Sequence, residues 1–87
     1  MDKLIIWDEP KRKANLVKHG LDFADLTAEF FINAVILAAH SDRLAAIGTL
    51  HDGTVTTIYA ELGREAISIV SLRPASKKER KAHDQKV

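Results

Sequence analysis

From Ala34 onward the chain changes period. Apolar side chains fall into four strand-length segments, Ala34 to Ala39, Leu44 to Leu50, Val55 to Tyr59 and Ala66 to Leu72. Turn-forming residues stand between them at Ser41-Asp42, Asp52-Gly53 and Gly63. Apolar segments of this length, punctuated in this way, predict an antiparallel meander of four strands. In the last of them Ile67 and Ile69 are expected on one face and Val70 and Leu72 on the other, since side chains alternate along a strand. Both faces would then be apolar, so the strand is expected to be central or covered on both sides.

The stretch before the meander is helical in pattern. Leu4-Ile5-Ile6-Trp7 reads as a short strand, after which Asp8 offers an N-cap carboxylate and Pro10 fits the first turn, where a missing N–H costs little. A helix is predicted from Glu9 to His19, closed by Gly20 in the left-handed conformation, with Lys18 and His19 in the last turn where the helix dipole favours positive charge. Lys11, Asn15 and Lys18 share one polar stripe, facing solvent or RNA, while Ala14 and Val17 lie on another face. Asp22 and Asp25 are expected to open a second helix whose Phe23, Leu26 and Phe30 pack on the sheet. After the sheet, Pro74 ends the last strand, Ser76 caps a helix, and Glu79 three residues later completes a capping box. That helix, from about Lys77 to Lys86, has almost no apolar stripe. It is expected to fray, or to be held by a partner or by Ala82 alone, as a docking or substrate arm. The whole is one small α+β domain over residues 1–87, with no repeat or linker.

The chain has no cysteine, which excludes disulfides, thiolate metal sites and a cysteine nucleophile and is compatible with a reducing cytosol. The longest apolar run, Ala34 to Ala39, is far short of the roughly 20 residues needed to span a bilayer. A soluble cytoplasmic protein with no membrane role is expected. Net charge is only +1, but it is segregated. Residues 1–20 hold five Lys/Arg against three Asp/Glu, residues 21–63 one against six, and residues 64–87 seven against three. If the fold joins the two ends, they form a cationic face for an anionic backbone, with salt-sensitive binding. The bland reading of Arg12, Lys77, Lys78 and Lys86 is a solvated surface.

Were that anionic backbone RNA, cutting it without a metal would need a base for the 2′-hydroxyl proton, an acid for the leaving 5′-oxygen, and cations around the phosphate. His19 and His83 are the candidates for proton transfer, because histidine ordinarily titrates near neutrality; helix capping and simple exposure are their structural alternatives. Arg64 and Arg73 flank the last strand, and a guanidinium grips two phosphate oxygens at once; pairing with Glu65, Glu79 or a carbonyl is the alternative. Lys11, Lys18, Lys77 and Arg80 are candidates for holding RNA. Trp7 and Tyr59 offer faces on which a base can stack, although Trp7, beside three apolar residues, also reads as core. His40 and His51, next to turns, read as surface. No cofactor and no metal are called for.

W-D-E-x-K-x-x-x-N-x-x-K-H-G-x-x-F from Trp7 to Phe23, Arg43 with Ile47-Gly48, and I-x-I-x-S-x-R-x-A-x-x-x-E-R from Ile67 to Arg80 together resemble the BrnT family of type II toxins. The likeness runs from Trp7 to about His83. It implies a compact α+β fold similar to RelE-type ribonuclease toxins and an endoribonuclease activity. It also implies a BrnA-like antitoxin partner with a ribbon-helix-helix DNA-binding domain, which carries the hetero-oligomer to operator DNA. The chain departs from the family pattern at two places: Leu62 occupies the turn where a basic residue is common, with Arg64 two residues on, and His83 stands where a tyrosine is common. An inactive toxin relic acting as a corepressor is the alternative these departures leave open.

Overall fold

In the computed structural model, which describes residues 3–85, the N-terminal segment completes the sheet that the meander begins. The elements are β1 (Leu4–Trp7), α1 (Glu9–His19), a 3-10 turn (Phe23–Asp25), α2 (Ala28–Ile32), β2 (Val35–Ala38), β3 (Leu44–Leu50), β4 (Gly53–Leu62), β5 (Ala66–Pro74) and α3 (Lys77–Asp84). The sheet order is β1-β5-β4-β3-β2. The four meander strands are antiparallel, as their spacing predicts, whereas β1 lies parallel to β5 with Leu4 opposite Ala66 and Trp7 opposite Ile69. That parallel pairing draws the basic N-terminal and C-terminal regions together around β5.

Local chemistry explains the helix ends. Asp8 is the N-cap of α1 by backbone conformation, but its side chain makes no capping bond; Gly20 closes the helix at φ 68°, a left-handed angle that costs glycine nothing. The expected second helix is split in two. The Asp22 carboxylate accepts from the Ala24 N–H and caps the 3-10 turn, while the Thr27 hydroxyl accepts from Phe30 N–H and starts α2. Asp25 opens no helix; it pairs at 3.2 Å with His51 in the turn between β3 and β4. The capping box of α3 forms as the sequence requires, Ser76 accepting from Glu79 N–H and the Glu79 carboxylate from Ser76 N–H. The expected end of that helix at Lys86 lies outside the described residues.

One face of the sheet carries the core, where Phe23, Leu26, Phe30 and Phe31 pack on Ala46, Val55, Tyr59, Ile67, Ile69 and Leu72. Leu72 belongs to the same cluster as Ile67 and Ile69, which corrects the expected alternation. The register slips between Ile58 and Tyr59: Ser71 pairs with Ile58 and Ile69 with Tyr59, so Val70 is the extra residue of a β-bulge. One added residue shifts the phase by one, and Leu72 turns to the core. Among the core contacts, Phe30 lies directly against β3 at Gly48, where a Cβ would sit 2.8 Å from the ring. Phe30 is itself locked edge-on to Phe31 at 5.2 Å, so it has little room to retreat.

Gly48→Ala is therefore expected to destabilise the fold by about 1–3 kcal/mol through overpacking. The melting temperature should fall by roughly 5–15 °C, measured by circular dichroism.

Candidate functional site

β5 is flanked on both sides over only its first part. β1 stops at Trp7, opposite Ile69, so among the described residues no strand lies beside the outer edge of β5 from Val70 to Pro74. A bare edge there would leave backbone groups without partners. α1 takes the place of the missing strand. The Asn15 Oδ1 accepts from Leu72 N–H at 3.1 Å, and its Nδ2 donates to the Leu72 carbonyl at 2.8 Å. A side-chain amide carries the same donor and acceptor as a peptide group, so Asn15 stands in for one residue of strand. The same Nδ2 donates to the Leu21 carbonyl at 3.1 Å, which ties down the chain just beyond Gly20. Asn15 is buried, so it does not share a solvent-facing stripe with Lys11 and Lys18. Its partners are backbone, not nucleic acid.

Around this contact a groove of about 270 Å³ opens between α1 and β5, lined by Lys11, Lys18 and His19 on the helix and by Val70 and Ser71 on the bulged strand. Lys11 and Lys18 are exposed and His19 is half-buried. Beyond the bulge Ser71 shares a face with Arg73, two residues on. The groove and Arg73 are thus on the same side of β5. The inward stripe of α1 is polar throughout. Arg12 binds the Glu9 carboxylate at 2.6 and 3.0 Å and both oxygens of Asp22 at 3.0 Å, fixing the helix to the following turn. The Glu9 carboxyl is held down to about 2, chiefly by its bond from Arg12 and next by the Trp7 indole N–H.

Arg73 is not a free cation. Its guanidinium makes a bidentate pair with Glu79, Nη1 to Oε1 at 2.6 Å and Nη2 to Oε2 at 2.9 Å, which clamps the start of α3 to the end of β5. The pair holds the Glu79 carboxyl down to about 2, with the Ser76 N–H and the nearby Thr56 hydroxyl adding smaller pulls. This clamp supplies the anchor that the apolar pattern of α3 lacks. The helix rests over β3, with Glu79, Ala82 and His83 on its inner side and Lys77, Lys78, Arg80 and Lys81 exposed.

The remaining expected site residues are dispersed. The His83 side chain is only 16% exposed, on the inner side of α3, which packs over β3. Arg64 is exposed in the turn before β5, nine residues from Arg73 and so roughly 30 Å away along the strand. The structure thus joins Lys11, Lys18 and His19 in one groove, sets Arg73 near it, and leaves Arg64 at the other end of β5; His83 does not line the groove. Tyr59 is 5% exposed and edge-on to Phe31 at 5.2 Å, so its face is closed to a base. Trp7 is half-buried, packing edge-on against Phe23 at 6.3 Å. His40 and His51 are at the surface, as their turn context predicts. Ser71 stood in the sequence motif beside Arg73 without a role of its own, and sequence reasoning missed Asn15 as a strand surrogate. The available signal for Asn15 was a poor helix former in mid-helix between Arg12 and His19, a setting that calls for a side-chain hydrogen bond.

Compared with known proteins, residues 7–79 match the family described as the ribonuclease toxin BrnT of type II toxin-antitoxin systems. The fold is similar to the 1.1 Å crystal structure of the Brucella abortus ribonuclease toxin BrnT, with 49% sequence identity and a TM-score of 0.81 over 86% of this chain and 99% of that one. Comparison with curated protein sequences gives no match.

Two outcomes are expected. Asn15→Leu should cost about 2–4 kcal/mol in urea denaturation, because it strips partners from buried backbone groups of Leu72. Asn15→Asp should not rescue it, since a carboxylate accepts from Leu72 N–H but repels the Leu72 and Leu21 carbonyls. For Glu79, the folded-state pKa lies below its ordinary value of 4.5. The clamp's contribution, about 1–2 kcal/mol after solvent screening, is therefore complete above about pH 4.5 and is lost as pH falls toward 2. Hydrogen exchange over Lys77–Asp84, corrected for intrinsic rates, should show protection falling between pH 5 and pH 3, with Glu79→Gln already low and flat across that interval.

Proposed function

The chain belongs to the BrnT family of type II toxin-antitoxin ribonuclease toxins, and from that premise we propose that it is itself an endoribonuclease that works in the groove between α1 and β5. The observation that carries the reading is the convergence of Lys11, Lys18 and His19 along one wall, with Ser71 opposite. Two ammonium groups near a phosphate stabilise the charge that builds on its oxygens, and an imidazole in the same groove moves a proton. In the proposed step His19 takes the 2′-hydroxyl proton and the freed oxygen attacks the adjacent phosphorus. The bond to the 5′-oxygen breaks, and that oxygen leaves with a proton from the Lys18 ammonium, giving a 2′,3′-cyclic phosphate and a 5′-hydroxyl. Every group named is a side chain of this protein, so cutting is expected to persist in excess chelator.

Arg73 acts in this scheme by extending the cationic face next to Ser71 while holding α3, and Lys77 and Arg80 on that helix offer further contacts to RNA backbone. A BrnA-like antitoxin with a ribbon-helix-helix domain neutralises the enzyme in the cytoplasm and takes the hetero-oligomer to operator DNA. The second reading, a noncatalytic corepressor, is favoured by two features: Glu79 already neutralises Arg73, and His83 is turned into the sheet.

The deciding experiment is digestion of single-stranded RNA by purified protein in excess chelator, with and without antitoxin. The expected result is cutting that the antitoxin stops, with His19→Ala about 10²- to 10⁴-fold slower at an unchanged melting temperature. Lys18→Ala should weaken RNA binding and flatten its salt dependence. RNA left intact by protein that still binds antitoxin would establish the corepressor instead.

A further inference from the structure

The sheet ends on a short strand of apolar residues. β2 forms its far edge, with Val35, Ile36, Leu37 and Ala38 as its residues and only β3 beside it. Natural edge strands are blunted by charge, proline, a bulge or a covering element, because their outward N–H and C=O groups invite another strand. β2 has no charged residue and no proline, and its pairing with β3 is regular. Ile36 is 44% exposed on one face and Leu37 45% on the other. On the core face a pocket of about 260 Å³ runs inward from Ile36 of β2, past Phe31 and Tyr59, to Ile67 of β5, and is rimmed by the Lys3–Glu61 ion pair. A bare strand edge with exposed apolar side chains is the geometry of strand addition, in which main-chain bonds give affinity and alternate side chains give specificity.

We propose that β2 receives an extended segment of the antitoxin, adding a sixth strand and placing an apolar side chain against the exposed Ile36, with acidic residues flanking the segment. The hydrogen-bonding chemistry of the edge selects polypeptide over RNA. Charge selects a foreign chain over a second copy: α3 lies over β3, the neighbour of β2, and exposes Lys77, Lys78, Arg80 and Lys81. A second copy would bring the same cations to that place, whereas an acidic flank would be drawn to them. The proposal rests on the reading of this chain as an antitoxin-neutralised toxin.

The test is hydrogen exchange at Val35–Ala38 in the full chain, alone and mixed with the separately purified cognate antitoxin, together with the affinities of Ile36→Lys and Leu37→Lys for it. Expected are at least tenfold slower exchange of β2 amides in the complex and at least tenfold weaker binding by each variant, with RNA cutting by the free variants unchanged. A complex that leaves β2 exchange unaltered would overturn the docking site while leaving the toxin reading intact. Failure to form any complex would overturn both. Protection that arises on concentrating the chain alone, with a dimer in sedimentation, would overturn the proposal in favour of self-pairing.

Discussion

The architecture turns on a single amide. β1 has only four residues, so it cannot flank the whole of β5, and the half of β5 that carries Ser71 and Arg73 would be a raw edge without Asn15. By bonding to both the N–H and the C=O of Leu72, Asn15 fixes α1 in register with the strand as a neighbouring strand would. Its position between Lys11 and Lys18 on the same helix then decides where those ammonium groups and His19 emerge. The groove is thus a consequence of how the sheet edge is satisfied. The bulge at Val70 serves the same end: it turns Leu72 inward beneath Asn15 and brings Ser71 and Arg73 to one face.

Two charged clamps complete this frame with little apolar material. Arg12 links α1 to the turn at Asp22, and Arg73 links β5 to α3 through Glu79. Bidentate guanidinium-carboxylate pairs fix orientation as well as distance. They allow a chain with a modest core to hold two highly basic helices against a sheet, one at its edge and one over its second face. The exposed lysines of both helices take no part in these two pairs.

Much of this was legible in the sequence, and the parts that were not share a cause. Gly20 as a left-handed cap, the Ser76–Glu79 capping box, α1 and the order of the meander strands depend on neighbours a few residues apart, and pattern finds them. The bulge at Val70 cannot be read in this way, because alternation counts residues and not pairings. The parallel union of β1 with β5 joins residues some 62 positions apart, Leu4 with Ala66. Asn15 and Leu72 are separated by 57. For the site, Lys11, Lys18 and His19 were legible because one helix carries them. Arg64 and His83 were grouped with them by charge and residue type alone, which say nothing of which end or face of the sheet a side chain occupies.

The late closure of the sheet has a bearing on how a cell could make such a protein. The helix wall of the groove is synthesised early, but its other wall, Val70 and Ser71, and the Leu72 backbone that seats Asn15 come close to the end of the described chain. A nascent polypeptide that has not yet reached β5 therefore has the basic helix but no cleft. Whatever chemistry the cleft performs begins only when translation of nearly the whole domain is finished.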